Sequence, residues 1–222
     1  MRGSLKTLEE HRKWLAATLS ISWLLATAYA FWWFQLRTLQ PFDPVSPPQS
    51  VLFEAGRMTA DLAALLAAGP ARGSAAERPV ATVVHFWDPA CPCSRFNEAH
   101  VRKIVAEYAR RGIQFLVVAR AGSGLSEALL AERAHRTFGD AVRLVNAPSQ
   151  AAVGLTPSSP ATAILDADGK LAYFGPYSTG AVCTATQGLF AEKVLDQLLQ
   201  GNHPQLWNTW ASGCFCSWSR QV

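Results

Sequence analysis

The chain has 222 residues, of which 50% are hydrophobic and 16% are charged, a composition typical of a folded domain rather than of a disordered segment. The formal net charge is only +4 at pH 7. Binding to a phosphate backbone needs basic residues that cluster on one face, and the basic residues here are spread thinly. We therefore expect no nucleic-acid partner.

An apolar segment without any charged residue lies near the N-terminus, from Trp14 to Leu36. It is long enough to cross about 30 Å of hydrocarbon as a helix, which predicts a transmembrane helix in contact with the lipid bilayer. Residues 1–13 carry more Lys and Arg than the residues directly after the segment. The positive-inside rule then predicts a cytoplasmic N-terminus, a single pass through the membrane, and a domain outside the cytoplasm.

Two other interpretations of this segment are open, namely a buried core helix and a cleaved signal peptide. Ala28-Tyr29-Ala30 resembles a cleavage site. The apolar run nevertheless continues through the aromatic residues 31–34, which suit the outer interface of a spanning helix. A retained anchor is the favoured interpretation.

The anchor is followed by two segments of different composition. Residues 37–50 contain four prolines, which predict a stiff linker. Residues 51–68 place apolar side chains at near-helical spacing, and a loop follows to residue 78. We expect residues 51–78 to form an accessory helix and loop that pack on the domain, with a place on the membrane surface as the alternative.

From residue 79 onwards, short β-rich runs alternate with helical periods, which is typical of parallel strands joined by helices. The runs "VATVVHFW", "IQFLVVA" and "AVRLV" predict strands, and a helical period follows each of the first two. The segment "ATAILDADGKLAYFG" predicts a hairpin that turns at Asp168-Gly169. A last helix is predicted from about Gln187. We therefore expect residues 79–201 to form an α/β domain with a central sheet flanked by helices. Residues 202–222 are a C-terminal extension rich in Cys and Trp.

Two of the five cysteines, Cys91 and Cys93, stand where a strand ends and a helix begins. The unpaired N–H groups and the positive end of the helix dipole favour a thiolate at such a place. A disulfide between positions two apart closes a very small ring and should be easily reduced. The sequence therefore predicts a redox pair in which Cys91 and Cys93 are catalytic.

The other three cysteines, Cys183, Cys214 and Cys216, are candidates for structural disulfides. A bond from Cys183 to one of the tail pair would staple the extension to the domain, and closing a long loop typically stabilises by ~2–4 kcal/mol. Sequence alone does not fix this connectivity, and the odd count leaves at least one thiol unpaired within the chain.

A metal site is an alternative use of the same sulfurs. Thiolates at close spacing suit Cu(I), whereas zinc sites usually separate their cysteines by two to four residues. We expect no resident cofactor or metal, with Cu(I) as the alternative. His85, His100 and His203 are expected to be hydrogen-bonded or surface residues rather than ligands, and Asp88 and Glu98 to be solvated.

The stretch "VVHFWDPACPC" resembles the strand and active-site loop of thioredoxin-like proteins. The resemblance implies that Cys91 is the nucleophile. It also implies that Trp87 shields the reactive loop as a substrate-binding residue, with core packing as the equal alternative. It also shows a departure, because Ser94 stands where that family has its second cysteine. "TPSSPATAILDADGKLAYFG" is similar to the region where a cis-proline faces the reactive loop. This implies a cis bond and a substrate-binding role at Pro160, whereas base rates alone favour trans.

The segments "GPYSTGAVC" and "NTWASGCFCSW" are similar to an uncharacterised family of bacterial membrane-anchored thioredoxin-like proteins. That resemblance carries no established activity. It implies that Cys183 and the tail pair belong to the same domain as Cys91. It also implies that the membrane is a bacterial inner membrane and that the domain lies in the periplasm.

Three functions remain open. The favoured one is a membrane-anchored, extracytoplasmic thiol-disulfide oxidoreductase. This enzyme would act on protein or small-molecule disulfides, and its partner would be a protein thiol or disulfide. The alternatives are a Cu(I)-binding or metal-delivery protein and a redox-inert interaction module with structural disulfides. The fold alone does not choose among them.

Overall fold

The computed structural model describes residues 2–42, 79–120, 124–145, 156, 158–178, 189–204 and 211–218. The chain forms two compact units, residues 1–39 and residues 40–222. The predicted accessory helix and loop at 51–78, most of the predicted linker, and Cys183 lie outside the described residues.

The first unit is the helix α1, Arg2–Thr38. Within it Glu10–Phe34, 25 residues with a mean hydropathy of 1.4, is long and apolar enough to cross a membrane. None of this segment is buried, and large side chains such as Trp14 and Trp23 are 72% and 67% exposed. This exposure argues against a core helix. The helix also extends beyond the predicted 14–36, because backbone hydrogen bonds continue where the apolar run stops.

The helices and strands described after α1 are, in chain order, β1 Leu39–Phe42, β2 Ala81–Trp87, α2 Pro92–Tyr108, β3 Ile113–Ala119, α3 Glu127–Phe138, β4 Val142–Val145, β5 Ser158–Ser159, β6 Ala161–Asp166, β7 Leu171–Gly175, α4 Phe190–Leu199, β8 Ala211–Cys214 and β9 Cys216–Ser217. Five of the strands form a sheet in the order β4-β3-β2-β6-β7. β2, β3 and β4 are parallel, whereas β6 pairs antiparallel with β2 and β7 with β6. The α/β class expected from the sequence is confirmed.

Local sequence signals set several of these boundaries. The Ser126 side chain accepts a hydrogen bond from the Leu129 N–H and caps α3 at its N-terminus. The predicted hairpin turn between β6 and β7 is present. Its Asp166 carboxylate accepts from the backbone N–H groups of Asp168 and Lys170, and Gly169 takes a φ of 78° that favours glycine.

Both faces of the central sheet are covered, since every residue of β2 is buried. On one face the sheet packs against side chains of α2, α3 and α4. On the other face, side chains from distant parts of the chain pack against the sheet. Among the described residues these are Phe42, Phe215 and Trp218. The C-terminal extension therefore contributes directly to the hydrophobic core.

Two short ladders attach this extension to the rest of the unit. β1, Leu39–Phe42, pairs with β8, Ala211–Cys214, and β5, Ser158–Ser159, pairs with β9, Cys216–Ser217. β1 occupies the start of the segment predicted to be a linker. Its partner comes from the far end of the sequence, so the local proline content gave no sign of it. A two-stranded ladder leaves one edge free, which tolerates the missing N–H of Pro41.

Candidate functional site

The cysteine loop lies between β2 and α2, as the sequence predicts. After Trp87 the chain turns tightly, and the Cys91 N–H donates to the Asp88 carbonyl oxygen at 3.0 Å. Cys91 is the N-cap residue of α2 and Pro92 is its first residue. Proline suits this position because its fixed φ fits the helix and its missing N–H would have had no partner there.

The disulfides join this loop to the C-terminal extension. Cys91 is bonded to Cys216, and Cys93 is bonded to Cys214, with Cα–Cα distances of 6.1 and 5.3 Å. Two expectations need correction: Cys91 and Cys93 are not bonded to each other, and neither tail cysteine is bonded to Cys183. Residues two apart meet the geometric needs of a disulfide poorly, whereas the tail brings both partners to the usual Cα separation.

The tail reaches Cys91 by lying along β5, directly before the cis-proline. The Ser159–Pro160 bond is cis, as the resemblance implied. In the antiparallel ladder Ser158 faces Ser217 and Ser159 faces Cys216. One short segment thus pairs with the backbone beside Pro160 and also bonds Cys91. The substrate-binding role of Pro160 stays a prediction.

The Ser159 side chain links the elements of the site, and sequence reasoning missed it. Its Oγ donates to the Phe86 carbonyl oxygen at 3.1 Å and accepts from the Asp88 N–H at 3.1 Å. Ser94, at the position of the expected second cysteine, lies with its Oγ 2.8 Å from that of Ser159. Because the Ser159 proton is given to Phe86, Ser94 is the donor of this bond. The only sequence signal was the position of Ser159 next to Pro160.

Two acidic residues near the loop hold it in place. Asp88 is only 3% exposed, so the expectation that it is solvated was wrong. Its carboxylate forms an ion pair with Arg120 at 2.9 Å and accepts from the Ala90 N–H at 2.9 Å. Glu98 accepts a hydrogen bond from the indole Nε1–H of Trp87 at 3.3 Å. Trp87 itself is fully buried, and its role in substrate binding stays a prediction.

The four bonded sulfurs form one compact cluster whose members differ in exposure. Cys91, Cys93 and Cys214 are 2%, 5% and 2% exposed. Cys216 is partly buried. The Sγ atoms of Cys91, Cys93 and Cys216 all lie within 4.8 Å of one another. Cys216 is therefore the one residue of this cluster that is not fully buried.

The three histidines considered as possible metal ligands lie outside the cluster of bonded cysteines. His85 lies on β2 with its Nδ1 2.9 Å from the Tyr177 hydroxyl, and its ring meets that of Phe138 edge-on. The Nε2 of His100 lies 2.6 Å from the Glu192 carboxylate, and His203 is exposed. Burial lowers the pKa of His85 from 6.5 to about 3 and raises the pKa of Tyr177 above its ordinary range.

The low pKa of His85 predicts a loss of stability in mild acid. The unfolded chain binds a proton here below its ordinary pKa of 6.5, whereas the folded protein binds it only below about 3. Stability is therefore complete above pH 6.5 and falls as the pH is lowered through this window, by up to about 1.4 kcal/mol per unit. We expect His85→Asn, which keeps a polar partner for Tyr177, to remove this part of the slope.

Denaturant unfolding of the wild type and of His85→Asn between about pH 7 and pH 5 checks this expectation, because most carboxylates titrate below that range. Equal pH slopes for the two proteins would contradict it.

The strand order, the reactive-loop cysteine at the start of α2 and the cis-proline beside it together define a thioredoxin-like fold. Within that class, the chain belongs to the family described as "Domain of unknown function (DUF6436)", whose model matches residues 63–218. No curated protein matches the chain.

Two similar solved structures agree with the fold, and a third shows a weaker likeness that adds no support. An uncharacterised conserved protein from Geobacillus kaustophilus is 18% identical, with a TM-score of 0.52 over 64% of this chain and 78% of that one. A hypothetical protein from Sinorhizobium meliloti 1021 is 16% identical, with a TM-score of 0.52 over 65% and 82%. A thioredoxin-like protein solved in its oxidised form is 16% identical, with a TM-score of 0.43 over 61% and 95%. At these identities the likeness concerns the fold alone.

Proposed function

We propose that the protein is a membrane-anchored thiol-disulfide oxidoreductase that works outside the cytoplasm. The observation that carries the proposal is the bond between Cys91 and Cys216. The cysteine at the reactive position of the fold is held in a disulfide by an extended segment paired to the strand before the cis-proline. In a mixed disulfide with a substrate protein, an extended substrate segment would pair with the same strand, and its cysteine would be bonded to Cys91.

The surroundings of Cys91 favour exchange at this sulfur. Opening of its disulfide leaves negative charge at the N-cap of a 17-residue helix, where the helix dipole and free N–H groups stabilise an anion. A stabilised thiolate is a good leaving group, and exchange depends on that property. Cys93, on the first turn of the same helix, is positioned to act as its resolving partner.

The proposed location rests on the first unit. The exposed apolar helix supports an anchor, and the excess of basic residues before it supports a cytoplasmic N-terminus. The bonded domain would then lie in a compartment where disulfides persist. The substrates are protein disulfides or dithiols, with small-molecule disulfides as the alternative.

Replacement of Cys91 tests the function. The full-length protein in detergent is reduced, freed of reductant and mixed with a disulfide-bonded model peptide whose reduction is followed. We expect Cys91→Ser to lower the rate strongly, because Ser cannot form the stabilised thiolate at the helix N-terminus on which exchange depends. Cys183→Ser is the matched control and should keep the wild-type rate, since both tail cysteines are bonded elsewhere.

A wild-type protein that neither reduces the peptide nor oxidises a dithiol peptide would sink the proposal. It would leave the redox-inert module with structural disulfides, which the burial of three of the four sulfurs favours.

Cu(I) binding is a second candidate, favoured by the three Sγ atoms that lie within 4.8 Å of one another. Once reduced, thiolates at such separations suit a soft monovalent ion. Stoichiometric copper in the anaerobically reduced protein, lost in Cys91→Ser, together with an absence of exchange activity, would favour this candidate over the oxidoreductase.

A further inference from the structure

We propose that Cys216 is the sulfur through which electrons reach and leave the cluster, and that Cys91 is its leaving group rather than the atom that meets the outside partner. This inference rests on the proposed function and names a further catalytic residue for it. The C-terminal extension would then be a built-in redox partner of the reactive loop.

The four bonded cysteines differ in their access to solvent. Three of the four bonded cysteines are 5% exposed or less, while Cys216 is partly exposed. Exchange requires a thiolate to approach one sulfur of the disulfide closely. In the Cys91–Cys216 bond, Cys216 is the residue that solvent reaches and Cys91 is 2% exposed. Attack at Cys216 leaves the charge on Cys91, so the sulfur at the helix N-terminus departs.

The tail is held by more than its disulfides. β9 pairs with β5, and the side chains that flank Cys216 are buried, with Phe215 6% and Trp218 3% exposed. The Trp218 ring lies 5.9 Å from that of Phe86, and the Phe215 ring lies 5.3 Å from that of Phe42. Large buried aromatic side chains contribute strongly to core stability. The tail thus stays docked when the bond opens, and Cys216 stays next to Cys91.

The proposed reaction uses an external dithiol as the reductant. One of its thiolates attacks the Cys216 Sγ, a mixed disulfide forms, the Cys91–Cys216 bond breaks, and its electron pair remains on Cys91. The second thiolate of the dithiol then attacks its own bonded sulfur and releases Cys216. The dithiol becomes a disulfide, and two electrons and two protons reduce Cys91 and Cys216 to thiols.

The inner disulfide can be reached only after this step. The Cys93 Sγ lies within 4.8 Å of the sulfurs of both Cys91 and Cys216. The freed Cys91 thiolate can attack it, which forms a Cys91–Cys93 bond and releases Cys214, protonated from water. No further electrons are needed for this exchange. The Cys91–Cys93 disulfide expected from the sequence would then be a transient species and not the resting state.

Mapping of the first mixed disulfide tests the inference. In full-length Cys93→Ala/Cys214→Ala in detergent, Cys91–Cys216 is the one remaining bond between loop and tail. Reduced glutathione is added, early samples are quenched with acid, free thiols are alkylated with N-ethylmaleimide, and peptides are sequenced by mass spectrometry. We expect glutathione on Cys216 and the alkyl group on Cys91, with roughly a tenfold excess over the reverse pattern, because the better-stabilised thiolate leaves faster.

The outcomes separate this inference from the proposed function. Glutathione mainly on Cys91, or equally on both, overturns the inference, and the function stands if the wild-type protein still reduces the model peptide. An adduct that forms only in urea shows that the folded sulfurs are closed to thiols, and both then fall. If the double variant does not fold, wild-type protein with limiting glutathione gives the same comparison, since the first adduct precedes any exchange with Cys93.

Discussion

Removal of both disulfides is expected to destabilise the protein by far more than twice the effect of removing one. The bonds join residues 125 and 121 positions apart, and the first bond to close so long a loop contributes about 5 kcal/mol by the chain-entropy relation. Once it exists, the second bond closes only a ring of a few residues, worth about 2 kcal/mol by the same relation. Losing either bond should therefore cost about 2 kcal/mol and losing both roughly 7.

Denaturant unfolding of three variants in detergent measures this coupling. Cys91→Ala/Cys216→Ala and Cys93→Ala/Cys214→Ala each remove one bond, and the quadruple variant removes both. Cys183→Ala serves as the control for loss of a thiol. Additive losses, with the quadruple variant equal to the sum of the two doubles, would show that the unfolded chain does not gain the expected freedom.

The central sheet could be predicted from the sequence because its signals are local. The strands β2 and β3 are short apolar runs bounded by breaks in the pattern, and the turn at Asp168-Gly169 carries its own hydrogen-bonding side chain in Asp166. The cap residue Ser126 and the glycine at 139 mark the ends of α3 in the same way. Elements whose causes lie within a few residues of each other are visible without a structure.

The cysteine pairing could not be predicted, because it depends on where the tail lies. Cys91 and Cys216 meet since β9 pairs with β5 and Trp218 packs on Phe86, and these are contacts between distant parts of the chain. From the sequence, Cys91 was expected to pair with Cys93, and Cys183 with one of the two tail cysteines. The structure joins the two Cys-x-Cys motifs crosswise, so the position of Cys91 was predictable and its partner was not.

Buried polar contacts were the other feature hidden from the sequence. Asp88 lies in a stretch of prolines and small residues, a composition typical of a solvated loop. Its partner Arg120 follows β3, the neighbour of β2 in the sheet, and the pairing exists because parallel strands end at the same edge. Such a contact can be inferred only once the strand order is known.

Replacement of Arg120 is expected to destabilise the reactive loop severely. The Arg120 guanidinium lies 2.9 Å from the Asp88 carboxylate, whose side chain is 4% exposed. In Arg120→Ala the carboxylate stays buried without its cation, and breaking a buried pair in this way typically costs about 3–5 kcal/mol. Asp88 also fixes the turn, through its carboxylate at Ala90 and its carbonyl oxygen at Cys91.

A double-mutant cycle decides whether an unpaired charge is the cause. Asp88→Asn/Arg120→Ala removes the charge along with its partner, and the Asn side chain can still accept from Ala90. We expect this double variant to be more stable toward denaturant than Arg120→Ala alone. Arg111→Ala breaks an ion pair with Asp196 in which both side chains are nearly half exposed, and should change stability by about 1 kcal/mol or less. If the double variant is no more stable than Arg120→Ala, the loss comes from packing of the arginine stem, and the buried carboxylate does not control the loop.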